Sequence, residues 1–134
     1  MASHTPARLS EDQVALLKEK VLAHVATVMP DGSPHVTPVW VDTDGEAVLF
    51  NTAKGRIKHR NLSRDPRIAI SLTDKQDDYR TVVIRGRAEI VEEGADTHID
   101  RLAKKYLGAD TYPFRKEGEE RVIIRIVPEQ ILGR

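Results

Sequence analysis

The chain contains no cysteine. Disulfide scaffolds, thiolate zinc sites, iron–sulfur clusters and cysteine nucleophiles are therefore excluded. It also lacks an excess of either charge, since 21 basic and 21 acidic side chains give 134 residues a formal net charge of zero. The two signs alternate along the chain instead of forming blocks, which argues against disorder and against a general nucleic-acid binder. Long apolar runs are missing as well. The densest clusters, Val82-Val83-Ile84 and Val39-Trp40-Val41, suit strand interiors and fall far short of a membrane-spanning helix. The opening Met1-Ala2-Ser3-His4-Thr5-Pro6 has no apolar core of the kind a secretory leader needs. A cytoplasmic protein is expected, with no membrane and no nucleic-acid partner.

What is present points to one folded domain spanning residues 1–134, with 1–9 flexible. Apolar residues make up 40% of the chain, and a protein of this size buries roughly two-thirds of its unfolded surface without needing a metal or a crosslink.

Ser10 followed by Gln13 reads as a capping box, with Glu11 and Asp12 placed where a helix dipole favours negative charge. About three turns of helix are expected, with Val14, Leu17 and Val21 on the apolar face. The pattern then becomes β-branched over Val25 to Met29 and turns at Pro30-Asp31-Gly32. A return strand, His35 to Val41, and a third strand, Ala47 to Asn51, follow on either side of the loop Asp42 to Gly45. Ile57 to Leu62 has the composition of a short helix that Asp65-Pro66 stops. Arg67 to Leu72 and Val82 to Ile90 alternate cleanly as strands, joined by a charged, mobile-looking loop, Thr73 to Arg80. Ile99, Leu102, Ala103 and Tyr106 define an amphipathic helix within Asp96 to Leu107. Val122, Ile124 and Ile126 mark a last strand inside Glu120 to Val127. The expected class is mainly β (α+β): about six antiparallel strands closed into a small barrel with short peripheral helices. Neither GxGxxG nor GxxxxGK[ST] occurs, so the two commonest nucleotide-binding architectures lose support.

The densest chemistry lies where the third strand gives way to a helix. Lys54, Arg56, Lys58 and Arg60 place four positive charges within seven residues. A helix N-terminus with cations beside it can hold a phosphate, although a solvated basic face is the commoner identity of such a run. Trp40, the only tryptophan, shares a strand face with Val36 and Pro38, a pattern that suits a core as well as the wall of a planar ligand. The five histidines show no ligand spacing, so no metal is expected. No serine sits in a nucleophile-elbow context, and no residue stands out as a catalytic acid or base.

Three segments together resemble a known family. They are Ala26 to Val41 (Ala-Thr-Val-Met-Pro-Asp-Gly-Ser-Pro-His-Val-Thr-Pro-Val-Trp-Val), Phe50 to Leu62 (Phe-Asn-Thr-Ala-Lys-Gly-Arg-Ile-Lys-His-Arg-Asn-Leu) and Asp65-Pro66-Arg67. In content, order and separation they are similar to the split β-barrel flavin-binding proteins related to pyridoxamine 5'-phosphate oxidase, and within these to the actinobacterial deazaflavin-dependent group. The resemblance implies a homodimer with two cofactor sites formed between subunits. It places Val36, Pro38 and Trp40 along the ring pocket, and Arg56 and Lys58 at the phosphate. Asn51 and Thr52 fall at the ring or ribityl chain, Lys54 adds charge, and Asn61 fixes the helix. Two cofactors compete in such a fold, F420 and FMN. The lactyl and glutamate tail of F420 asks for more cations than one phosphate does, and the four-cation run suits it. The expected activity is an F420-dependent reductase passing a hydride to an electron-poor small molecule such as an enone, a quinone or a bilin. The alternatives are an FMN-dependent oxidoreductase and a flavin or F420 carrier without turnover. No counterpart is found for the basic and tyrosyl cluster with which true pyridoxamine phosphate oxidases hold their substrate. The short end Ile131-Leu132-Gly133-Arg134 lacks the histidine-bearing extension that a haem-binding split barrel would want.

Overall fold

The computed structural model describes residues 7–133. Helix α1 (Glu11–Lys18) opens with the expected capping box: the Ser10 hydroxyl accepts from the Gln13 N–H at 3.1 Å, and the Gln13 side chain accepts from the Ser10 N–H at 2.8 Å. It has eight residues, not three full turns, and buries Leu16 and Leu17. Val21 is buried too, but beyond the helix end. Of the opening nine residues expected to be flexible, 1–6 lie outside the described residues. The Ala7 N–H bonds to the Pro128 carbonyl at 2.9 Å, and Leu9 packs against the core.

Seven strands form one antiparallel sheet. They are β1 (Leu22–Val28), β2 (Pro34–Trp40), β3 (Asp42–Thr43), β4 (Val48–Ala53), β5 (Arg67–Thr73), β6 (Thr81–Val91) and β7 (Arg121–Gly133). Their order across the sheet is β2-β1-β5-β6-β7-β4-β3, and β2 curls back beside β4 to give a split barrel. The seventh strand is the two-residue β3, a short pairing with β4 inside the segment the sequence assigns to a loop. β1 and β2 are joined by the expected turn, where Gly32 takes a φ of +87° that side-chain-bearing residues avoid. In β6, Val82, Ile84 and Gly86 face inward while Arg85, Arg87 and Glu89 face out, as period-two alternation requires. A bulge interrupts the β6–β7 ladder between Arg85 and Gly86. Any side chain at Gly86 would collide with the Val127 carbonyl, so only glycine permits this close approach.

The main core joins Leu16 and Leu17 of α1 to Val25, Phe50, Ile70, Ile84, Ile124 and Ile126 of the strands, all essentially sealed from solvent. Each such side chain contributes roughly 1.5–3 kcal/mol of burial free energy. Helix α2 (Ile57–Arg64) adds Leu62 to this core, whereas α3 (Ala95–Leu107) packs outside it. The stripe Ile99, Leu102 and Tyr106 of α3 forms a second, small cluster with Trp40 and Tyr112. Residues 73–80, which read as mobile, are tied down by Arg80, whose guanidinium bonds Asp12 at 2.7 Å, Asp74 at 2.7 Å and Glu19 at 3.3 Å. No helix among the described residues is long and apolar enough to cross a membrane.

Candidate functional site

A cleft of about 300 Å³ opens where β2 approaches β4. Pro38 and Trp40 come from β2, Asn51 and Thr52 from β4, Arg56 and Lys58 from the start of α2, and Arg121 from the start of β7. The turn into α2 is made by Gly55, at φ +88°. The helix has neither a side-chain N-cap nor an acid in its first turn, so the positive end of its dipole is not offset from within. Lys58 donates to the Thr37 hydroxyl at 2.9 Å and meets no carboxylate among the described residues. Burial, and then the neighbouring Arg56, lower its pKa from the ordinary lysine value. An anion held at this point would relieve both penalties.

Behind these cations runs a polar chain. The Glu119 carboxylate accepts from Arg56 at 2.9 Å through one oxygen and from Arg121 at 2.8 Å through the other. Burial would raise the Glu119 pKa, but the two arginines outweigh it and hold the carboxyl below its usual range. Arg121 also donates through Nε to the Asn51 carbonyl oxygen at 2.8 Å, and its guanidinium lies 5.2 Å from the centre of the Tyr112 ring. The Asn51 amide in turn donates to the Ala95 carbonyl at 2.9 Å and meets Nδ1 of His98 at 3.1 Å. Burial pushes His98 down to about 4, with Arg101 and Arg121 adding to the effect and Asp42 opposing it. His98 is thus neutral near pH 7, with Nδ1 accepting.

The apolar wall is aromatic. Trp40 stacks on Tyr106 with ring centres 5.2 Å apart and planes 7° from parallel, and Tyr112 meets Trp40 edge-on at 6.1 Å. Phe114 meets Tyr112 edge-on at 5.7 Å. Tyr106 is fixed from behind, because its hydroxyl donates to the Val21 carbonyl at 2.6 Å and accepts from the Val41 N–H at 3.0 Å. The loop carrying Tyr112 and Phe114 is pinned to α3. Asp100 accepts from the Tyr112 N–H at 2.8 Å, and Arg115 bridges Asp96 at 2.7 Å and Asp100 at 3.0 Å.

Six of the nine residues singled out from the sequence therefore line one cleft: Pro38, Trp40, Asn51, Thr52, Arg56 and Lys58. Three do not. Val36 lies on the Pro38–Trp40 face of β2 but is 60% exposed and outside the cleft. Lys54 pairs with Glu92, and with Glu120 at 3.9 Å, because the Gly55 turn separates it from the helix that carries Lys58. Asn61 is buried under α2 and donates to the Thr27 hydroxyl at 3.0 Å and to the Met29 sulfur at 3.3 Å. Of the four-cation run, only Arg56 and Lys58 line the cleft, so the charge count that favoured a polyanionic tail is smaller than the sequence suggests. Arg121, Glu119, Tyr112 and Phe114 escaped the sequence reading. No local spacing marks them, since their partners lie up to 72 positions away.

A larger hollow of about 710 Å³ lies beside Leu9, Glu46, Glu89 and Arg125. Its Arg125 is already bonded to Asp44 at 2.8 Å and Glu89 at 3.0 Å. Among the described residues no group of three or more His, Asp or Glu side chains could hold a metal ion.

Comparison with known proteins supports the split-barrel fold. The chain is 29% identical over 133 residues to an F420H2-dependent biliverdin reductase of Mycobacterium tuberculosis (strain CDC 1551 / Oshkosh), covering 97% of this chain and 91% of that protein. Among solved structures it superposes on an F420 reductase with a TM-score of 0.82 at 31% identity, covering 94% of this chain and all of the other. It matches a conserved hypothetical protein from Mycobacterium tuberculosis with a TM-score of 0.70 at 26% identity, over 98% of this chain and 88% of that one. The sequence profile described as pyridoxamine 5'-phosphate oxidase matches residues 9–134, and with the split barrel and its cleft in view, the chain belongs to the pyridoxamine 5'-phosphate oxidase family.

Proposed function

We propose that this protein is an F420-dependent reductase that works as a homodimer and reduces an electron-poor, conjugated small molecule. The observation that carries the reading is the pair of cations at the start of α2: Arg56 and Lys58 both line the cleft, and Lys58 has no acidic partner among the described residues. Such a set fits a phosphorylated planar cofactor. Arg56, Lys58 and the first turn of α2 would take the phosphate, Pro38 and Trp40 would flank the ring, and Asn51 and Thr52 would adjoin it. The preference for F420 over FMN is supported by the likeness to proteins named for F420 at 29% and 31% identity, more than by charge count. When bound, F420 in its reduced form supplies the hydride, while the protein supplies orientation and electrostatics. The Trp40–Tyr106 stack gives a rigid wall, which Tyr112 and Phe114 continue.

Dimerisation is supported by what the single chain leaves open. Leu22 and Phe114 line the cleft at 51% and 61% exposure, and a volume of about 300 Å³ is at the lower end for a cofactor site. A second subunit would complete the walls. The deciding experiment is a side-by-side titration with F420 and FMN at one salt concentration, followed by mixing the protein with reduced F420 and a panel of enones, quinones and bilins. Tighter F420 binding and acceptor-dependent return of the oxidised cofactor's absorbance are expected. Equal or tighter FMN binding would move the assignment to an FMN oxidoreductase. Binding of F420 with no accelerated acceptor would make the protein a carrier.

A further inference from the structure

Arg121 is set into the cleft from behind. Its side chain is only 3% exposed, yet it lines the cavity. Two of its nitrogens are committed, Nε to Asn51 and Nη1 to Glu119, both at 2.8 Å. The third, Nη2, makes no bond within the described protein and is not among the side-chain atoms sealed off without a partner. A guanidinium this deeply buried rarely leaves a nitrogen without an acceptor, so the site favours a ligand oxygen there. The charge balance points the same way. Glu119 is the one carboxylate bonded to Arg56 and Arg121, which leaves that triad one positive charge in excess before Lys58 is counted.

Arg121 shares Glu119 with Arg56 but stands on a different element with neighbours of its own. Arg56 and Lys58 stand at the start of α2, whereas Arg121 packs over the Tyr112 ring beside Asn51. Tyr112 continues into Trp40 on one side and Phe114 on the other. A flat molecule entering the cleft beside these rings would lie next to the guanidinium. The orientation is also preset: Asn51 gives its amide group to Ala95 and His98, so its carbonyl is the end left for Arg121.

We propose that Arg121 binds an anionic oxygen of the acceptor, so that the cleft selects planar conjugated acids over their neutral counterparts. This rests on the reductase reading and narrows its substrate class. Asn51 and Glu119 act as positioning residues for the Arg121 guanidinium.

The test uses binding without turnover. Trp40 is the only tryptophan and lines the cleft, so its fluorescence reports occupancy directly. Protein loaded with oxidised F420 is titrated with biliverdin and with biliverdin dimethyl ester, which share a chromophore and differ in their carboxylates. The wild type should bind the acid about tenfold or more tighter than the ester, the worth of one charged hydrogen bond. Arg121→Gln should cut that preference to about threefold or less while leaving F420 affinity within about threefold, and Arg121→Lys should give an intermediate preference. If Arg121→Gln does not fold, the lysine variant decides, and an unchanged preference in it overturns the proposal. Equal binding of acid and ester by the wild type also overturns it. So does loss of F420 affinity with the acid preference intact in Arg121→Gln, which would assign Arg121 to the cofactor. Failure of the wild type to bind F420 at all would instead sink the reductase reading, and the acid-to-ester ratio measured without cofactor would still judge Arg121.

Discussion

Lys58 donates to the hydroxyl of Thr37 at 2.9 Å, bringing an ammonium from the first turn of α2 against the middle of β2. A threonine hydroxyl orients this charge without neutralising it. The lysine is therefore held ready for an anion, at the cost of a lowered pKa.

Lys58→Ala and Arg56→Ala should each weaken F420 binding by roughly 1.5–3 kcal/mol, about tenfold to a hundredfold. Lys18→Ala, on the exposed face of α1, should leave it unchanged. Affinity should fall with added salt and on the alkaline side, because a lysine with a depressed pKa loses its proton before an ordinary one does. Fluorescence titration of F420 across salt and pH checks all of these outcomes, and parent-like binding by both alanine variants would make the basic run a solvated helix face.

Acid should expose the buried histidine. His98 titrates at about 4 when folded against an ordinary 6.5, so its neutral form favours the folded state above pH 6.5. That stability is lost as pH falls from 6.5 through about 4, because the unfolded chain takes up a proton that the folded one refuses. The loss attributable to this residue is on the order of 3 kcal/mol. Denaturant unfolding between pH 7 and pH 4 should show a shallower decline in His98→Gln than in the parent, and parallel curves would contradict the assignment.

Tyr106→Phe should keep the stack on Trp40 and remove the hydroxyl that joins Val21 to Val41. The buried Val41 N–H then loses its partner, at a cost of roughly 1–3 kcal/mol. A thermal midpoint lowered by several degrees, with the Trp40 fluorescence spectrum little changed, is expected. An unaltered midpoint would mean that water replaces the hydroxyl.

Sedimentation should give a two-fold dimer with an isologous interface. Replacing Leu22 or Phe114, both exposed beside the cleft, by aspartate should weaken dimerisation and cofactor binding together. A stable monomer that binds F420 as tightly as the parent would contradict the shared site.

The local elements were legible because each follows from the period of its own backbone. Ser10 and Gln13 close a capping box within one turn, the alternation of residues 82–90 matches the pleat of β6, and Ile99, Leu102 and Tyr106 fall on one helical face. The family resemblance likewise rested on contiguous segments, and six of its nine expected site residues meet in one cleft. The length of α1, the two-residue β3 and the continuation of β7 to Gly133 were not legible, since they depend on which neighbour supplies hydrogen bonds. The same holds for the fates of two lysines four positions apart: Lys54 is drawn to Glu92 and Lys58 to the cleft, once the Gly55 turn sends strand and helix in different directions. Arg121 reaches Asn51 across 70 positions and Arg56 reaches Glu119 across 63. No spacing in the chain encodes those meetings. They exist because β7 pairs with β4 and the sheet curls until its ends approach, so the sequence alone determined the segments and the kind of ligand they suit, while tertiary packing chose which charges face it.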